Sequence, residues 1–139
     1  MKVLLDTNVW IGFFRNPLQR EEFELRARRP FLLMSSVVAL ELFAGCRTPR
    51  QAKTLESFLK PFEKAGRVIT PDHGSFREAG RVLAALAQEG MGTAHRRQIV
   101  NDVLIAVSAA RSGAVLVTGN RGDFSQIEKH IPLRWILPY

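Results

Sequence analysis

The stretch Asn101-Asp102-Val103-Leu104-Ile105-Ala106-Val107-Ser108-Ala109-Ala110-Arg111-Ser112-Gly113-Ala114-Val115-Leu116-Val117-Thr118 runs a helix into a strand across one glycine. From Asp102 to Ser112 small and apolar residues recur at helical spacing, with Asp102, Ala106 and Ala109 on one face at i, i+4 and i+7. Gly113 supplies a residue that ends a helix in the left-handed region at little cost. Ala114 to Thr118 is then a short, Val- and Leu-rich run of the kind buried on both faces in a parallel sheet. The same alternation extends in both directions. Strands are expected at about Lys2 to Leu5, Pro30 to Ser35, Arg67 to Thr70 and Leu133 to Leu137, and helices over Ser36 to Cys46, Pro49 to Glu63 and Asp72 to Gln88. Gly45, Gly66 and Gly90 are predicted to stop helices as Gly113 does. This is the pattern of an α/β protein whose parallel sheet carries crossover helices. Gly90 to Gln98 has two glycines and no apolar period, and reads as a long mobile loop.

A chain of 139 residues has room for one domain. Its 46% hydrophobic and 24% charged residues exclude collagen-like, low-complexity and disordered classes. The single Cys46 leaves no internal disulfide or multi-thiol zinc site, so a reducing compartment is expected and packing at a helix end is its natural role. Asp6 arrives too early for a signal peptide, and the uncharged run from Phe31 to Leu40 is about half of the ~20 residues a membrane span needs. A soluble, cytoplasmic protein without membrane contact is the expectation. A net charge of +7 favours a polyanionic partner such as nucleic acid.

Against that basic background, four acids stand at unusual places. Asp6 directly follows the first strand, at the carboxyl edge where open parallel sheets bind ligands; it would also serve as the N-cap of the next helix. Glu41 interrupts a helix that is apolar almost all round, Val37-Val38-Ala39-Leu40-Glu41-Leu42-Phe43-Ala44, so its charge must be exposed, paired or coordinated. Asp102 sits in a first helical turn, which the helix dipole alone would favour, on a small-residue face that can pack close to a sheet. Asp123 lies just beyond the fourth strand in Thr118-Gly119-Asn120-Arg121-Gly122-Asp123, an ordinary turn and cap when taken alone. With strand order 3-2-1-4-5, Asp6 and this loop would face each other at the switch point. Four carboxylates together repel by about 4 kcal/mol per pair at 4 Å and an effective dielectric of 20. A hard divalent cation, Mg²⁺ or Mn²⁺, suits such an all-oxygen site, and one held there can activate water against a phosphodiester.

These residues resemble the PIN-domain nucleases, and within them the VapC-like toxins of type II toxin–antitoxin systems. The resemblance spans nearly the whole chain and is carried by Leu5-Asp6-Thr7-Asn8, by Ser36 with Glu41-Leu42-Phe43-Ala44-Gly45, by Asn101-Asp102, and by Thr118-x-Asn120-x-x-Asp123-Phe124. It implies one PIN-like domain over 1–139, with a five-stranded parallel sheet of order 3-2-1-4-5 flanked by helices, and Mg²⁺- or Mn²⁺-dependent endoribonuclease activity. By motif match it gives Asp6, Glu41, Asp102 and Asp123 the metal and catalytic roles, with Asn8, Ser36, Thr118 and Asn120 orienting ligands or the attacking water. It further implies a cognate antitoxin covering the site and a homodimer. Trp10, Phe13 and Phe14, on the helix after Asp6, would offer an apolar groove to such a partner, although aromatics of this size are often simply core.

Arg96 and Arg97, beside His95 in the expected loop, are the basic group best placed to close on single-stranded RNA. His73, His95 and His130 have no metal-like neighbour in sequence, and no catalytic triad is visible. Two other readings remain at this point. A receiver-like phosphoacceptor domain would use Asp72 and Thr118, but it expects paired acids after strand one, where Asp6-Thr7 stands, and a Lys after strand five, whereas no Lys follows Lys129. A PIN-like module that binds RNA without cleaving it would be permitted by the charge, but it leaves the acid quartet without a purpose.

Overall fold

Strand β1 (Lys2–Leu5) lies at the centre of a five-stranded parallel sheet, paired with β2 (Phe31–Ser35) on one side and β4 (Val115–Val117) on the other. The edges are β3 (Val68–Ile69) and β5 (Trp135–Ile136), which gives the order 3-2-1-4-5. A computed structural model describes residues 1–138. Val3 and Leu4 are wholly buried, as are Leu116 and Val117, because helices cover both faces of the sheet; this is why the strands read as continuous apolar runs.

The helices are α1 (Thr7–Arg15), α2 (Pro17–Arg26), α3 (Ser36–Ala44), α4 (Pro49–Lys64), α5 (His73–Gln88), α6 (Thr93–Gln98), α7 (Val100–Ser112) and α8 (Arg121–Ile127). Every residue of α7 from Val103 to Ala109 is buried, and α5 packs along it. Gly113 ends α7 at φ 66°, and Gly66 and Gly90 also have positive φ, whereas Gly45 ends α3 at φ −81°, a conformation any residue adopts. Gly45 therefore does not close its helix in the expected left-handed way.

Two segments depart from expectation. Pro17–Arg26 forms α2 although only Phe23 of it is buried; Pro17 at the first helical position and the Arg20–Glu24 pair at 2.8 Å support a helix too polar to show an apolar stripe. Gly90 to Gln98 is not a continuous loop, since Thr93–Gln98 forms the short helix α6 with none of its residues buried. Among the described residues, no helix is long and apolar enough to cross a membrane.

Candidate active site

The carboxyl edge of β1 and β4 carries one continuous hydrogen-bond network. Asp6 is 2% exposed and plays both roles open to it in the sequence. Its Oδ1 accepts from the Thr7 amide at 2.8 Å, capping α1, while Oδ2 accepts from the Thr118 hydroxyl at 2.7 Å and from Asn8 Nδ2 at 3.0 Å. The Thr7 hydroxyl donates to Glu41 Oε1 at 2.7 Å, so one threonine joins the first two acids. On the far side, the Asn120 amide nitrogen of the backbone donates to Thr118 Oγ1 at 3.0 Å. The Asn120 side chain then donates to Asp102 Oδ2 at 3.2 Å and to Asp123 Oδ2 at 3.1 Å. Asn8 Oδ1 also accepts from the Gly119 amide at 2.9 Å; a Cβ at 119 would stand 3.3 Å from that oxygen, a tight contact that Asn8 would have to yield to by a few tenths of an ångström.

Six of the eight polar residues expected here are thus joined to the network through donors or acceptors on Asp6, Asp102 or Asp123, and Glu41 enters through Thr7. Ser36 does not join it. Its hydroxyl is 2.6 Å from that of Thr70, beyond β3, while the preceding Ser35 caps α3 by accepting from the Val37 and Val38 amides. The junction falls where expected, between Ser35 and Ser36, but the Ser36 hydroxyl is engaged by Thr70 beside β3 and not by the acids.

Electrostatics separate Asp102 from an ordinary helix-turn acid. Its pKa is pushed from 3.8 to about 7 by burial first, then by the charges of Asp6, Glu41 and Asp123, against only the Asn120 hydrogen bond. The field of a helix first turn, worth about 0.3–1 kcal/mol, is less than one pKa unit and cannot offset this. Burial raises Asp6 as well, opposed by its bonds to Thr118, Thr7 and Asn8, and Glu41 adds to the rise. For an acid whose folded pKa lies above its unfolded value, the folded state holds the extra proton. The metal-free protein should therefore gain stability as pH falls from about 7 toward 4, and Asp102→Asn should flatten that gain. Thermal melts of both proteins across that range check this; parallel pH profiles would assign the rise to other groups.

None of the four acids is paired with a Lys or Arg among the described residues, in a chain that carries 20 of them. Neutral amides and hydroxyls hold them instead, and no three acidic, histidine or cysteine side chains among the described residues stand together as a ready-made cage. Carboxylates of which Asp6 and Asp102 are desolvated, and which have no Lys or Arg partner, fit a hard divalent cation that keeps part of its water shell.

Two participants are invisible to pattern reading. Thr7 lies in the quoted motif, but its hydroxyl reaches Glu41 across 34 positions, which only the fold brings together. His95 Nε2 stands 2.9 Å from Asp123 Oδ1. The partner-groove expectation needs correction in half. Trp10 is wholly buried, closed over by Phe58 and Phe62 with ring centroids at 5.0 and 6.0 Å, and is core. Phe13 is buried too, but Phe14 is 46% exposed and stacks on Trp10. With Ile11, Leu42, Leu55 and Phe58, Phe14 lines a groove of about 590 Å³ that also touches Glu41. A larger cavity between α2 and α4, about 950 Å³, touches none of Asp6, Glu41, Asp102 and Asp123. Arg96 and Arg97 lie on α6, Arg97 exposed and Arg96 bonded to Met91 O and Thr93 Oγ1. Asp72, which a receiver domain would need, instead caps α5 by accepting from the Ser75 amide at 2.8 Å.

The model of the PIN domain family matches residues 3–130. A search of curated protein sequences found no match. Among solved structures, the chain is similar to DNA-bound VapBC from Salmonella typhimurium, at 29% identity and TM-score 0.70, covering 100% of this chain and 99% of that one. It is similar to VapBC2 from Rickettsia felis bound to a promoter DNA fragment, at 26% identity and TM-score 0.69, covering 99% and 98%. VapBC-1 from nontypeable Haemophilus influenzae, at 24% identity, TM-score 0.69 and coverage of 99% and 98%, shares the fold.

Proposed function

Because the chain belongs to the PIN-domain family, we propose that it is a metal-dependent endoribonuclease, and that it is the toxin of a toxin–antitoxin pair. The observation that carries this reading is the acid quartet itself: one buried and three partly buried carboxylates gather at the sheet's carboxyl edge, and among the described residues none is paired with a Lys or Arg in a chain of net charge +7. An inert surface would have paired them or let them face water.

In this reading Asp6, Glu41, Asp102 and Asp123 hold Mg²⁺ or Mn²⁺. The ion, when bound, supplies a lower pKa for an attacking water and neutralises charge on the phosphoryl oxygens. Thr7 and Asn120 keep pairs of carboxylates in register, and Thr118 and Asn8 fix Asp6 through hydrogen bonds to its Oδ2. Asp102, protonated near neutral pH without metal, must release that proton as the cation enters, so metal affinity falls below about pH 7. Exposed Arg97, with Arg96 behind it, would meet RNA phosphates beside the site. The direct test is cleavage of RNA by the purified protein with a divalent ion and with excess chelator.

The partner proposed is a cognate antitoxin segment presenting Arg or Lys to the acids, with apolar side chains in the Phe14 groove next to Glu41. Arg suits the acids because its fork engages carboxylates bidentately. A peptide from the genome-neighbour protein should therefore compete with Mn²⁺ in calorimetry, and Phe14→Asp should weaken it about tenfold or more by burying a charge in the groove. Affinity indifferent to both Mn²⁺ and Phe14 would send the peptide elsewhere. The homodimer implied by the resemblance belongs to this same reading, and sedimentation of the free protein tests it.

A further inference from the structure

Helix α6 is ordered without a core. None of its six residues is buried, and a helix of that length is not stable alone. The Arg96 hydrogen bonds, to Met91 O at 3.2 Å and Thr93 Oγ1 at 3.1 Å, stay within the segment. Among the described residues, one side-chain hydrogen bond joins α6 to another helix: His95 Nε2 to Asp123 Oδ1, 2.9 Å, reaching α8 across 28 positions. The other oxygen of Asp123 accepts from Asn120 Nδ2 at 3.1 Å, and the same nitrogen reaches Asp102 Oδ2 at 3.2 Å. His95, Asp123, Asn120 and Asp102 thus stand in series, so that both oxygens of Asp123 are held and its carboxylate has one orientation.

We propose that His95 is a positioning residue of the metal site, fixing Asp123 through Nε2 and, by the same bond, pinning α6 with Arg96 and Arg97 beside the acids. This rests on the metal-dependent reading above. The imidazole need not be charged: a neutral ring with its proton on Nε2 donates to the carboxylate, and the bond orients it as outer partners orient metal-ligating groups elsewhere. Such partners typically cost 10–100-fold in metal affinity when removed. The segment between α5 and α7 is thereby assigned a task that its lack of apolar period hides: it couples the nucleic-acid-facing arginines to the geometry of the acids.

The test compares the unchanged protein with His95→Ala and His95→Gln, by Mn²⁺ calorimetry and by amide hydrogen exchange without metal. His95→Ala should bind Mn²⁺ about tenfold or more weakly and exchange faster over residues 93–98, with its thermal midpoint held because α6 adds nothing to the core. His95→Gln, whose side-chain N–H can occupy the place of Nε2, should recover most of both. If His95→Ala binds Mn²⁺ as tightly as the unchanged protein does, or if Gln recovers neither property, His95 does not position Asp123. If the unchanged protein binds no Mn²⁺, the metal reading itself falls and the proposal with it; if the unchanged protein and His95→Ala bind Mn²⁺ equally, the metal reading stands without the role of His95.

Discussion

Asp102→Asn should lower RNA cleavage by about 100-fold or more while the protein keeps or slightly gains thermal stability. The activity loss exceeds the 10–100-fold that removing an outer partner of a metal ligand costs, because this change removes a ligand charge. The stability expectation follows from what surrounds Asp102: burial and the charges of Asp6, Glu41 and Asp123 all oppose its ionisation, and only Asn120 favours it. The amide keeps the shape and an oxygen for Asn120 while deleting the repulsion. A structural-cap role predicts the reverse, a loss of about 0.5–2 kcal/mol with activity falling in proportion. The geometry already argues against that role, because Asp102 lies inside the first turn of α7 and no side chain caps that helix. Parallel melting curves and cleavage rates separate the two: a large fall in melting temperature with modest activity loss would return Asp102 to the scaffold.

How much of this was legible depends on whether a residue's role is local. Sheet order and the acid positions could be anticipated because Asp6 and Asp102 sit at the ends of apolar runs, Glu41 breaks one, and Asp123 follows one across a short turn, so each stands out locally. The β3 and β5 edges are two residues each, shorter than the segments Arg67 to Thr70 and Leu133 to Leu137 expected from sequence, since an edge strand has one neighbour to pair with. Trp10 and Phe14 share a helix face at i and i+4, and sequence gives no reason to treat them differently. Phe58 and Phe62 of α4, about 50 residues away, close over Trp10 and leave Phe14 half open. Ser35 and Ser36 are chemically identical neighbours; Ser35 caps locally, whereas Ser36 bonds Thr70, a partner 34 positions away that only the fold supplies. His95 was hidden for the plainest reason, because a long-range polar tie from an exposed helix leaves no periodic trace.

If the acid quartet is a metal-dependent ribonuclease site, cleavage must follow the cation and the carboxylates together. Purified protein and its Asp102→Asn variant are incubated with RNA in Mn²⁺, in excess chelator, and in chelator followed by excess Mn²⁺. Without a cation, Asp6, Glu41 and Asp123 already oppose the ionisation of Asp102, and their charges would repel a phosphodiester as well. The unchanged protein should cleave with Mn²⁺, fall to background with chelator and recover when Mn²⁺ is restored, while the variant should cleave about 100-fold or more slowly with Mn²⁺ and not at all in chelator. Hydrolysis by water further predicts 5′-phosphate and 3′-hydroxyl ends. Cleavage undiminished in chelator and equal in the variant, or products ending in 2′,3′-cyclic phosphate from attack by the RNA's own hydroxyl, would contradict it.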